Sequence, residues 1–157
     1  MKNKERRGFG QILLRLLFLL YAAVMLWLLF GQRIDPDGTG VSGKLGSNLN
    51  LIPLKTVKMY LNMLSGTASA YLLRHAFINL LGNVVMFIPL GFFLPYIWKR
   101  QRSFVKLFLS VTVLILLVET VQYFTALGSC DVDDLILNLL GAVIGYGVWK
   151  LTAKLRR

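Results

Sequence analysis

Glu119 and Gln122 stand three residues apart inside FVKLFLSVTVLILLVETVQYF, a run that is otherwise almost wholly apolar. On a helix that spacing puts both on one face. An acidic side chain near a bilayer centre costs about 3 kcal/mol even on lenient insertion scales, so Glu119 implies a polar partner or a function. Two other stretches carry polar residues at helical spacing. His75, Asn79 and Asn83 recur at i, i+4 and i+8, next to Arg74. In DVDDLILNLLGAVIGY, the residues Asp131, Asp134, Asn138, Gly141 and Gly145 recur at steps of 3, 4, 3 and 4. The candidate ligand-binding set is therefore Arg74, His75, Asn79, Asn83, Glu119, Gln122, Asp131, Asp134 and Asn138.

If the site is catalytic, Glu119 and Asp134 are the candidate acid and base, because paired carboxylates in different environments acquire separated pKa values. No nucleophile stands out. Oxygen ligands from Glu119, Asp134 and Asn138 would need further ligands to hold a hard cation, so no metal is assigned and the cofactor is unknown. A single cysteine, Cys130, and a single histidine exclude an intramolecular disulfide and a Cys/His zinc site.

Each polar residue also has a purely structural reading. Asp131 and Asp134 fit an N-cap and its N3 partner at a helix start. Asn79, Asn83 and Asn138 suit hydrogen bonds between helices, each worth about 0.6 kcal/mol. Gly141-x-x-x-Gly145 suits close helix packing. His75, at the interface, reads first as a boundary residue and second as a ligand.

The elements that position these groups are membrane spans. The chain has 157 residues, 56% of them hydrophobic, which is too apolar for a water-soluble domain of this size. Four stretches, 11–30, 76–98, 104–126 and 132–149, each approach the roughly 20 residues needed to cross the hydrocarbon core. The fold expected is an all-α bundle of four transmembrane helices. The basic start KNKERR resembles a signal-peptide n-region, but LFGQR offers no small-x-small cleavage site, so 11–30 reads as an uncleaved anchor.

Net charge is +11, and its placement speaks for topology rather than nucleic acid. Thirteen of the 18 Lys and Arg residues lie at or near the N-terminus (1–10), the connection 99–103 and the tail 150–157. The positive-inside rule puts these segments in the cytoplasm, with both termini inside. Segments 31–71 and 127–131 then lie outside. Within 31–71, GQRIDPDGTGVSGKLGSN reads as turns and loop. Next, KTVKMYLNML (55–64) places Val57, Tyr60, Leu61 and Leu64 on one helical face and Lys55, Lys58 and Asn62 opposite. This is a short amphipathic helix, lying in the outer interface or packed over the bundle mouth. On helices of this length and direction, Asn83, Glu119, Asp134 and Asn138 reach one level near the outer end.

Together NLLGNVVMFIPLGFFLP, ETVQ and DVDDLILNLLGAVIGY, preceded by NLIPL, resemble the VanZ-like family over residues 51–146. The resemblance implies a small bacterial plasma-membrane protein with a cell-envelope role, associated with lowered sensitivity to teicoplanin. It places the family's polar positions on Asn79, Asn83, Glu119, Gln122, Asp131, Asp134 and Asn138. Many members carry an Arg shortly before the first Asp, where this chain has Gly128-Ser129-Cys130. Any cation in the site then comes from Arg74 or elsewhere.

Three functions are compatible with this reading. The first, ranked ahead, is binding of an amphiphile or lipid-linked cell-wall component, or of a glycopeptide antibiotic itself, in an outward-facing polar pocket. The second is an intramembrane enzyme acting on a lipid head group or lipid-linked sugar. The third is a small transporter, which four spans without an inverted repeat support only in a homo-oligomer.

Overall fold

Helices α3 (Ala70–Ile97) and α5 (Val132–Leu155) pack most extensively among the described elements, and glycine makes their close approach possible. A Cβ added at Gly91 would overlap the Ala142 carbonyl oxygen. One at Gly141 would overlap that of Val84, and one at Gly145 that of Ile88. The two backbones are therefore in contact, with no side chain between them. Lipid tails are as apolar as leucine, so helix pairs in a bilayer gain by such close packing rather than by apolar burial.

The computed structural model describes residues 2–31, 49–65, 69–125 and 130–155. In chain order these form α1 (Lys2–Phe30), β1 (Leu49–Asn50), α2 (Lys55–Ser65), α3, a 3-10 turn (Lys99–Arg102), α4 (Phe104–Phe124), β2 (Cys130–Asp131) and α5. Among the described residues four helices are long and apolar enough to cross a membrane: α3, α4, α5 and the Phe9–Phe30 part of α1. The four-helix expectation is met.

α4 packs through the stripe Leu107, Val111, Ile115, Glu119 and Gln122, all buried. The first three belong to a core that also holds Phe87, Leu90, Ala142, Tyr146 and Trp149. On the same helix Thr112 and Thr120 turn their hydroxyls back onto the Phe108 and Leu116 carbonyls, at 2.8 and 2.7 Å. Such i−4 bonds satisfy a hydroxyl without a partner from outside the helix.

α1 is the most exposed span. It is tied at two heights by polar side chains bonding to backbone carbonyls. Tyr21 donates to the Met86 oxygen at 2.7 Å, and Gln122 of α4 donates to the Leu29 oxygen at 2.9 Å. Gln122 is thus a fastener between helices.

The N-terminal part of α1, the end of α3, the start of α4 and the end of α5 share one pole of the bundle. There Phe18 stacks edge-on with Trp98, Tyr96 meets Thr152, and Tyr146 donates to the Arg102 carbonyl. At the other pole β1 and β2 pair in parallel, Leu49 with Cys130 and Asn50 with Asp131. That short ladder joins the segment before α2 to the segment before α5.

Candidate functional site

α2 starts without a cap of its own. Leu54 precedes it with a φ of 63°, a left-handed conformation that costs a leucine roughly 1–2 kcal/mol. The first helical N–H groups need acceptors, and Asp133 of α5 supplies them. Its carboxylate accepts from the Leu54 N–H, from the Thr56 N–H at 2.7 Å and from the Val57 N–H at 3.1 Å. Asp133 has no exposed surface. A carboxylate bonded to several backbone N–H groups at a helix start is well compensated for its desolvation.

Asp131 forms the second half of this clasp. It caps α5 by accepting the Asp133 N–H at 2.9 Å, so its structural role as an N-cap is realised. Asn50 donates to Asp131 at 2.9 Å and to Thr56 Oγ1 at 3.1 Å. Thr56 Oγ1 in turn donates to Asp131 Oδ2 at 2.6 Å. The Asp131 N–H donates to Glu119 Oε2 at 3.3 Å. Glu119, only 5% exposed, therefore stands beneath the start of α5 and is turned into the protein.

One turn further along α5, Asp134 accepts from Asn83 Nδ2. Asn79 donates to the Tyr60 hydroxyl at 3.0 Å, which seats α2 on α3. Asn138 is 4% exposed, and its Oδ1 has no hydrogen-bond partner among the described residues. An unmet buried acceptor of this kind costs about 1–3 kcal/mol.

The cluster sets the chemistry of Cys130. Burial pushes its thiol pKa up from the usual value, and the negative charges of Glu119, Asp131 and Asp134 push it further in the same direction. At neutral pH Cys130 is a protonated thiol and a poor nucleophile.

Along one face α2 carries an open cavity of about 650 Å³. Ile52, Pro53, Met59 and Met63 line it together with Lys55, Lys58 and Asn62. Cations beside an apolar floor suit an amphiphile with an anionic group.

Residues 18–153 match the family model described as VanZ/LLP1. The chain belongs to the VanZ/LLP1 family. It is 31% identical over 145 residues to the protein VanZ of Enterococcus faecium, an alignment covering 92% of this chain and 78% of that one. No solved structure matches it. With its four apolar helices, this VanZ/LLP1 member is a membrane protein.

In this member of the family, Glu119 meets Asp131 and Asn83 meets Asp134, whereas Asn79 is directed to Tyr60 and Gln122 to α1. Arg74 is exposed on α3. The side chain of His75 lies outside the described residues, as do Gly128 and Ser129. Among the described residues no three His, Cys, Asp or Glu side chains converge as metal ligands.

Asn50, Thr56 and Asp133 complete the cluster without having been singled out by sequence pattern. Asp133 lies off the polar stripe of α5, so helical spacing passes over it. The available signal was on α2, where the residues before Lys55 are Ile-Pro-Leu and offer no capping side chain. A helix start that cannot cap itself requires acceptors from elsewhere in the chain.

Proposed function

We propose that this protein works in the bacterial plasma membrane, with both termini cytoplasmic, and lowers sensitivity to teicoplanin-type glycopeptides by engaging an amphiphile or lipid-linked wall component at the outer face. The observation that carries this reading is the groove on α2, where Lys55 and Lys58 flank Met59, Met63 and Ile52. An anionic group would meet the lysines while an apolar chain lies along the methionines, whose flexible thioethers adapt to irregular ligands. The Asp133 clasp supports the reading because it holds the groove in one conformation before a ligand arrives, which lowers the ordering cost of binding. The crowding of basic residues at the opposite pole supports the orientation.

Binding is favoured over catalysis by the engagement of the candidate acid and base. Asp134 is held by Asn83, and Glu119 by the Asp131 N–H.

The test compares teicoplanin binding and sensitivity in cells lacking the protein, cells carrying it, and cells carrying the Lys55→Gln/Lys58→Gln variant. The unmodified chain lowers sensitivity and the double variant loses that effect at equal membrane abundance. Unchanged sensitivity in cells that express the unmodified chain well sinks the proposal.

A further inference from the structure

The other pole of the bundle contains a cavity of about 310 Å³ between α1, α3 and the 3-10 turn. Arg15, Lys99 and Arg102 line it with Gln11 and Tyr96, and among the described residues no acidic side chain does. Like charges gathered around one hollow repel each other unless an anion sits among them.

The cations are also placed with some precision. Arg102 donates from Nε to the Pro95 carbonyl at 3.3 Å, and its own carbonyl accepts from Tyr146 at 2.7 Å. Backbone and side chain are thus both anchored, while the two terminal guanidinium nitrogens keep their donors. Arg15 is six residues inside the apolar span that starts at Phe9, about 9 Å along the helix axis. A cation at that depth is retained where it reaches a polar partner at the head-group level. Beside the cavity, Trp98 is half exposed and packs edge-on against Phe18, and Phe93 continues this aromatic seam between α1 and α3. The hollow therefore combines phosphate-binding donors with an apolar seam that leads into the bilayer.

We propose that this cavity seats the phosphodiester of one anionic phospholipid. Arg15, Lys99 and Arg102 contact the phosphate, Gln11 meets the polar head group, and the acyl chains run over Phe18, Phe93 and Trp98. Basic pockets between transmembrane helices recognise lipid head groups in this manner. The site is independent of the α2 groove and of any role in glycopeptide resistance.

The full-length chain, purified in neutral detergent with mixed phosphatidylglycerol and phosphatidylcholine, tests this by native mass spectrometry. The unmodified protein retains one phosphatidylglycerol in preference to phosphatidylcholine. Arg15→Gln/Lys99→Gln weakens that retention about tenfold or more. The control Lys106→Gln/Lys154→Gln removes the same charge from the same pole, outside the cavity, and leaves retention unchanged. Equal loss in both double variants reduces the effect to diffuse surface charge and overturns the proposal. Equal retention of the two lipids by the unmodified chain also overturns it, whether or not the variants fold. In a separate arm, inorganic phosphate is added to the unmodified chain. Failure to displace the lipid supports a lipid seat, and displacement at low concentration identifies a free-phosphate site and overturns it.

Discussion

The two poles of the bundle treat charge in opposite ways. At the α2 pole, carboxylates are buried and answered from within the chain: Asp133 by three backbone N–H groups, Asp131 by Asn50 and Thr56, Glu119 by the Asp131 N–H. At the other pole Lys99, Arg100 and Arg102 are exposed, and the cavity lined by two of them and Arg15 has no acidic residue among the described ones. Buried charge can persist only where hydrogen bonds replace its hydration. Exposed charge persists by keeping water, or by acquiring an ion from outside. The acidic pole is therefore architecture that carries a groove, and the basic pole is a surface that awaits an anion.

Removing Asp133 should break this contrast most sharply. Asp133→Ala strands three N–H groups at the start of α2 and should cost about 3 kcal/mol or more. Unfolding in detergent would register the loss, and amide exchange should accelerate at Leu54, Thr56 and Val57. Asp133→Asn, which keeps one acceptor oxygen and loses the other along with the charge, should fall between. An Ala variant with an unchanged midpoint would mean that α2 does not depend on the clasp.

A smaller effect is expected from Thr56→Val, which keeps the shape but removes the hydroxyl that accepts from Asn50 and donates to Asp131. It should lower stability by about 1–2 kcal/mol in the same measurement.

Cys130 reports the field of the acidic pole. Its raised pKa means that the reactive thiolate appears only as pH climbs past the ordinary thiol range. Maleimide labelling should accordingly be slow at neutral pH and rise steeply in alkali. Glu119→Gln removes the largest of the three charge contributions but leaves burial, the main cause, in place. It should move the labelling profile modestly toward lower pH. A profile that matches a small-molecule thiol would show that the carboxylates do not act on this group.

The least effect belongs to Arg100→Gln at the basic pole. Arg100 is exposed and outside the cavity, so its loss should leave the unfolding midpoint in neutral lipid unchanged. A clear drop would mean that the basic pole, too, contributes to the fold.

Much of this was legible in the residues themselves. Apolar runs of span length can satisfy their backbone in lipid only as helices, and the periodic glycines of α5 already marked a close-packing face. Glu119 stood out because its cost in a bilayer demands a partner. The partners were not legible. The Asp131 N–H lies twelve residues away and reaches Glu119 where β2 packs against α4. Asp133 serves Thr56 and Val57 from 77 and 76 residues further along the chain.

Composition and patterning alone marked this chain as a membrane protein, gave it four helices long and apolar enough to span a bilayer, and clustered its basic residues. Those outcomes follow from the transfer free energy of each side chain, which is a local property. Which carboxylate holds α2, which amides serve as fasteners and where hollows remain were settled in three dimensions. Hydrogen bonds act over about 3 Å, so their pairing depends on how the helices meet rather than on spacing along any one of them.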